Sequence, residues 1–277
     1  MELTKTIEKL LTEMGMDLYP WEIGDKDPPS CYIQKDQIVP ESKKCLFCGE
    51  DVLVWKIDGE HMVPYRGCIP EYINKDTPTF YRVTDNYHPK CKKLMNKLND
   101  WGISKKRAFE SDNFIVDDSN KNAFLMVQKW IETPASEGLY LYGAPGVGKT
   151  LLATKIILES KENDKLIVSE SDIYESLTPD MNNKNSSKEK SDYLYFLRRK
   201  KLLIIDDIGT AKSTPWKMET LFSVISKRID YGLPTFFTSN YSPSELSGRV
   251  DSKIASRVFE LSNPCMVGGV DHRLMRG

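Results

Sequence analysis

The chain has 277 residues, with 39 lysines and arginines against 40 aspartates and glutamates. A formal net charge of −1 supplies no overall basic field for nucleic acid, so any such surface must be local. Apolar runs are short, and Glu2, Lys5, Glu8 and Lys9 stand where an export signal would need its apolar stretch. A cytoplasmic protein without a membrane span is therefore expected. Six cysteines in such a chain point to metal ligands or free thiols rather than to a disulfide framework.

Residues 1 to about 16 place Leu3, Ile7, Leu10, Leu11 and Met14 on one helical face, predicting an amphipathic helix that packs on its own domain or docks on a partner. Pro20, Pro28, Pro29 and Pro40 make the next stretch irregular. Cys45-Leu46-Phe47-Cys48-Gly49 then has the spacing of a zinc knuckle, in which a tight turn points two sulfurs at one ion. Two further ligands close a tetrahedral site. Cys68 and Cys91 are chosen, with His88 as the alternative to Cys91 and Cys31 as an outlier. So short and polar a segment lacks apolar mass, so zinc there would be structural. A redox pair is the competing reading of the two cysteines, but no βαβ pattern surrounds them.

Lys90, Lys92, Lys93, Lys97, Lys105, Lys106 and Arg107 interleave with Leu94, Met95, Leu98 and Trp101. That stretch suits a nucleic-acid backbone or a solvated helix face leading into a linker; Asp100, Glu110 and Asp112 close by favour the second. Ala123, Phe124, Val127 and Trp130 predict a helix over about 121–131.

From 138 onward strand and helix patterns alternate, the signature of an α/β domain with a mostly parallel sheet. Strands are predicted at 139–142, 166–169, 202–206, 235–239 and 265–268. Residues 182–190 read as an exposed polar loop, either a solvated insertion or a DNA contact. Arg198 to Lys201 supply cations that a helix C-terminus favours without any partner. After the first strand, Gly143-Ala144-Pro145-Gly146-Val147-Gly148-Lys149-Thr150 fits G-x-x-x-x-G-K-[ST]. The glycines let backbone N–H groups converge on an anion, and the helix that follows points its positive end at the same place. Lys149 then reaches the β- and γ-phosphates of ATP, and Thr150 offers a hydroxyl to Mg²⁺.

Leu202-Leu203-Ile204-Ile205-Asp206-Asp207 is an aliphatic strand ending in two carboxylates, as a Walker B strand does. Asp206 serves the Mg²⁺ shell opposite Thr150, and Asp207 orients or deprotonates the attacking water. The fourth strand ends at Asn240, which either holds that water or opens the turn at Tyr241-Ser242-Pro243.

The order of these motifs resembles the AAA+ ATPases. Within them, 101–277 resembles helicase loaders of the DnaC/DnaI type from bacteria and phages, close to the IstB transposition helpers. The resemblance is carried by Trp101-Gly102-Ile103, Phe109, Phe114, Gly143–Thr150, Leu203–Gly209, Trp216, Glu219, Arg228, Thr238-Ser239-Asn240, Lys253–Arg257 and Gly269–Arg273. It implies an AAA+ P-loop domain with a five-stranded parallel sheet and no separate lid over 138–277. A linker and leading helix over 101–137 and a small zinc-binding, partner-engaging domain over 1–100 precede it. Asn240 matches the sensor 1 residue, Arg257 the arginine finger acting in trans from a neighbouring subunit, and Arg273 a tail arginine near the nucleotide. Two positions depart from the pattern: Asp207 stands where the wider superfamily has Glu, implying modest hydrolysis, and Lys253 where many relatives have Arg.

The function implied is an ATPase that loads a DnaB-type ring helicase onto single-stranded DNA, self-associating through its ATPase domain. An IstB-like partner of a transposase, or a nucleotide-binding scaffold without turnover, are the alternatives.

Overall fold

The computed structural model describes residues 39–44, 51–57, 60–64, 80–82, 89–178 and 186–272. The chain divides into two compact units, Met1–Lys97 and Leu98–Gly277. In the first, β1 (Val39–Lys44), β2 (Asp51–Ile57), β3 (Glu60–Pro64) and β4 (Phe80–Arg82) pair in sequence order as an antiparallel sheet. Sequence reading left this sheet unpredicted. Its signal lies in the β-branched and aromatic run Val52-Leu53-Val54-Trp55 and in the Asp58-Gly59 pair that separates β2 from β3, whose register runs Ile57↔Glu60. The helix expected near the amino terminus, Cys31, and the zinc candidates Cys45, Cys48, Cys68 and His88 lie outside the described residues, as does the side chain of Cys91.

The helices, in chain order, are α1 (Pro89–Asp100), α2 (Lys105–Asp112), α3 (Lys121–Glu132), α4 (Lys149–Glu159), α5 (Glu170–Leu177), α6 (Ser186–Arg199), α7 (Pro215–Asp230), α8 (Pro243–Leu246) and α9 (Ser252–Leu261). The second unit is built on a five-stranded parallel sheet of β5 (Gly138–Tyr142), β6 (Lys165–Ser169), β7 (Leu202–Asp206), β8 (Thr235–Ser239) and β9 (Ser262–Met266). Their spatial order is β6-β7-β8-β5-β9, and every pairing is parallel. The side-chain period of two splits the sheet between two helical layers. Tyr140, Leu203, Ile205 and Phe237 join the core formed with Ile173 of α5, Leu197 of α6, Leu221 and Val224 of α7 and Val258 of α9. On the alternate register, Phe236 meets Trp130 of α3 edge-on at 4.6 Å. Burial on both faces is why β7 reads as a continuous apolar run. Each buried aliphatic contributes about 1.5–3 kcal/mol.

Four of the five predicted strands match within a residue. The fifth, expected at 265–268, runs Ser262–Met266 instead. Ser262-Asn263-Pro264 has little strand propensity, and Pro264 is tolerated because β9 is an edge strand pairing with β5 alone. The expected loop over 182–190 also needs correction, since α6 already begins at Ser186. Its polar first turn belongs to a helix that buries Leu197 and ends on Arg198 and Arg199, where cations complement the helix dipole.

Candidate nucleotide-binding site

In a parallel sheet of this kind the carboxyl ends of the strands face the ligand, and three of them converge here. β5 runs into the glycine-rich turn, β7 ends on Asp206, and β8 delivers Asn240. Gly146 and Gly148 have φ of +79° and +98°, a region in which a side chain would be strained, and they turn the chain into α4. The space beside both is also taken. A Cβ on Gly148 would come 2.6 Å from the Phe114 ring, and one on Gly146 would lie 1.8 Å from an Asp271 carboxylate oxygen.

Lys149 is 5% exposed, and its ammonium donates to Gly143 O (2.9 Å), Ala144 O (2.7 Å) and Asn240 Oδ1 (2.8 Å). Thr150 Oγ1 donates to Asp206 Oδ1 at 3.0 Å. Four side chains that sequence reasoning put around one phosphate and one cation thus form two bonded pairs, Lys149 with Asn240 and Thr150 with Asp206. The donor set suits a Mg²⁺–triphosphate: a hydroxyl and a carboxylate side by side for a hard cation, and an ammonium beside a glycine-rich turn for the anion. Mg²⁺ in such a site would neutralise developing charge on the phosphates.

Asp206 is 3% exposed and receives a second hydroxyl, Thr238 Oγ1, on the same oxygen at 2.6 Å. Thr238 Oγ1 in turn accepts the Asp207 N–H at 2.8 Å. Asp207 has φ of +58°, a left-handed backbone that Asp tolerates better than most residues. Its carbonyl is held by the Thr210 hydroxyl at 2.7 Å and its successor Ile208 N donates to Thr238 O at 2.9 Å. The bend separates the two carboxylates: Asp206 stays on the strand axis and Asp207 leaves it. Sequence reading saw Thr238 as part of a motif and gave it no work of its own; only the fold shows it bridging the acidic pair.

The turn after β7 has a further anchor. Glu170, 1% exposed at the start of α5, accepts from Tyr174 Oη (2.9 Å) and from the backbone of Gly209 (2.8 Å) and Ala211 (3.5 Å). Burial pushes its carboxyl above the usual range, only partly offset by those donors. On the other flank, Asp117 caps the approach to α3, accepting from the Ser119 hydroxyl and from the Ser119 and Asn120 backbone, and the Ser119 bonds hold its carboxyl low. Arg107 of α2 also reaches this region, with Nη1 3.9 Å from Asp206 Oδ2.

Arg257, expected to act on a neighbouring subunit, stands apart from the phosphate turn of its own chain. Arg257 lies on an exposed face of α9, its Nη1 bonded to Glu260 Oε2 at 2.8 Å, and among the described contacts it meets no residue of the phosphate turn. Arg273 lies outside the described residues. Among the described residues no group of three or more His, Cys, Asp or Glu side chains could hold a metal ion. Cys265 sits buried in β9, its thiol pushed up to about 11 by burial, as befits a packing residue.

A family model described as the bacterial DnaA ATPase domain matches residues 105–261, more than half of the chain. The chain belongs to that family. The matched stretch of the DnaA ATPase-domain family opens at α2, ahead of the sheet, and closes at the end of α9. Within the family's reach are known replication proteins. The chain is 32% identical over 164 residues to the replicative helicase loader DnaI of Bacillus subtilis, covering 53% of this chain and 51% of that protein. It is 30% identical over 151 residues to the chromosomal replication initiator protein DnaA of Mycoplasma capricolum, covering 53% of this chain and 33% of that one. The match thus spans about half of the loader and a third of the initiator. Among solved structures, a primosome component from Streptococcus pyogenes serotype M3 superposes with a TM-score of 0.53 at 25% identity, over 65% of this chain and all of that one. The resemblance read from the motifs and the AAA+ P-loop fold are therefore both found. No helix among the described residues is long and apolar enough to cross a membrane.

Proposed function

We propose that this protein is an ATP-dependent loader of a DnaB-type replicative ring helicase, assisting its placement on single-stranded DNA. The single observation that carries the proposal is the pairing of Lys149 with Asn240 and of the adjacent Thr150 with Asp206 at the carboxyl ends of three parallel strands. The similarity to a helicase loader supports the direction in which that nucleotide switch is used.

In this reading Gly143–Thr150 wraps the phosphates. Lys149 exchanges its bonds to Gly143 O, Ala144 O and Asn240 for phosphate oxygens, which frees the Asn240 amide to position the attacking water. Thr150 and Asp206 hold Mg²⁺, which supplies charge neutralisation. Asp207, turned off the strand by its left-handed backbone, orients or accepts the proton of that water. Arg257, exposed and spared any role in its own pocket, completes the site of a neighbouring subunit, and Arg273 of the tail lies against the nucleotide. Self-association then follows nucleotide state. Cys45, Cys48, Cys68 and Cys91, or His88 in place of Cys91, would hold a structural Zn²⁺ in the helicase-engaging front part.

Co-purification with a DnaB-type helicase in ATP and in ADP tests the proposal. Complex formation that depends on ATP, and is lost in Lys149→Ala, is expected. Arg257→Ala should keep nucleotide binding and lose phosphate release. A helicase complex indifferent to nucleotide and to Lys149→Ala would refute the switch.

A further inference from the structure

Arg107 is a cation that no part of the proposed phosphate chemistry uses, yet it stands beside the carboxylate at its centre. The segment that carries it is pinned at both ends. Upstream, Trp101 O accepts the Ile167 N–H of β6 at 3.0 Å, and Gly102, at φ +73°, approaches so closely that a Cβ would lie 2.0 Å from Ile167 O. Downstream, the buried Ser111 hydroxyl donates to Leu151 O of α4 at 2.9 Å. Between them Ser104 caps α2, its Oγ accepting Arg107 N–H at 3.2 Å. This places the guanidinium on the open side of Asp206. Thr150 and Thr238 both use Oδ1, whereas Oδ2 faces Arg107.

The geometry of that pair is not the geometry of a structural staple. At 3.9 Å it is too long for a hydrogen bond, and the Arg107 side chain is 36% exposed against 5% for Asp206. At that length, and with its cation open to solvent, the pair contributes little to stability. What it does supply is a partly exposed positive charge, on a helix anchored at both ends, at the edge of the cation and phosphate site. A guanidinium suits phosphate oxygens better than a single carboxylate oxygen, because its planar fork matches them.

We infer that Arg107 senses the terminal phosphate in cis: it balances Asp206 when no divalent cation is there, and it moves onto the γ-phosphate of a bound nucleoside triphosphate. The inference rests on the nucleotide reading of the site. It differs from the role given to Arg257, which acts on a neighbour, and it makes α2, the first helix of the matched family region, responsive to triphosphate against diphosphate.

The test is equilibrium titration of the full chain with fluorescent ATP and ADP analogues in Mg²⁺, for wild type, Arg107→Ala, Arg107→Lys, Lys106→Ala and Lys149→Ala. A charge-assisted contact made only by the third phosphate should weaken triphosphate binding by about tenfold or more in Arg107→Ala and leave diphosphate binding within about twofold. Lys keeps the charge without the fork and should recover part of the loss. Lys106, 4.0 Å from Glu110 on the solvent side of the same helix, should have no effect on either nucleotide. Equal weakening of both nucleotides, or of neither, overturns the inference while leaving the phosphate site intact. Should Arg107→Ala fail to fold, the Arg107→Lys ratio decides by the same criterion. Wild-type protein that binds neither nucleotide, like Lys149→Ala, would bring down the proposed function and this inference with it.

Discussion

Replacing Thr238 by valine tests whether one buried hydroxyl organises the acidic end of β7. Valine keeps the shape and the burial but removes the group that donates to Asp206 Oδ1 at 2.6 Å and accepts the Asp207 N–H at 2.8 Å. The first loss strips a charge-assisted bond, about 1.5–3 kcal/mol, and the second leaves a backbone donor without its acceptor, about 1–3 kcal/mol. Both act on one short turn, so they do not add in full, and a net destabilisation of about 2–4 kcal/mol is expected. For a unit the size of Leu98–Gly277 this corresponds to a melting temperature lower by roughly 5–15 °C. Thr238→Ser keeps the hydroxyl and loses one methyl group, costing only about 1 kcal/mol. Thermal or urea unfolding compares the two, and phosphate release follows the chemistry. A valine variant as stable as the serine variant would refute the bridging role of Thr238.

Three other outcomes follow from the same contacts. Asp207→Asn keeps a residue that accepts φ of +58° and so should unfold within about 0.5 kcal/mol of wild type, while steady-state phosphate release falls by about 100-fold or more as the carboxylate is lost. Arg228 is fully buried, its charged form disfavoured to about 9 by burial, and it donates to Leu197 O, Lys200 O, Pro234 O and Thr235 Oγ1; Arg228→Met should cost about 3–5 kcal/mol, read as a lower urea midpoint. Glu170 has its carboxyl raised in the folded chain, so its contribution is present below the ordinary carboxylate value and is lost as pH rises through the raised one. Urea midpoints at several pH values should therefore fall less with rising pH in Glu170→Gln than in wild type, and parallel pH slopes would count against the assignment.

Much of the sheet was legible because burial on both faces leaves a print: Leu202–Ile205 is an apolar run of strand length, and Thr235-Phe236-Phe237-Thr238 is β-branched and aromatic. The phosphate turn was legible because only glycine fits its backbone, and the carboxylates because they end a strand. What stayed hidden depends on three-dimensional neighbours. Nothing local marks Thr238 as the partner of residues 31 and 32 positions away. Arg107 approaches the site from α2 and Phe114 from the loop that follows it, and Glu170 reaches Gly209 across 39 residues. β9 was displaced in the reading because Pro264 obscured an edge strand. The antiparallel sheet of the first unit was passed over because proline and cysteine spacing dominated that part of the sequence.

The contacts of β8 explain why these residues belong to one device rather than to a list. At its start Thr235 takes the Arg228 guanidinium at 2.8 Å, which ties the strand to α7 and, through Leu197 O, to α6. At its end three successive residues face three parts of the site. Thr238 holds the Asp206 carboxylate and the Asp207 backbone N–H, Ser239 Oγ donates to Ile208 O at 2.8 Å to hold the turn that follows them, and Asn240 accepts from Lys149. Alternation along a strand sends Thr238 and Asn240 to one side and Ser239 to the other. A single strand therefore couples the phosphate-binding lysine to the acidic pair and to the turn beyond it. Any movement of Asn240 away from Lys149, which phosphate binding would require, is felt by the same backbone that positions Asp206 and Asp207. In the proposed function this connection, rather than any individual side chain, would carry occupancy of the phosphate turn to the turn after β7.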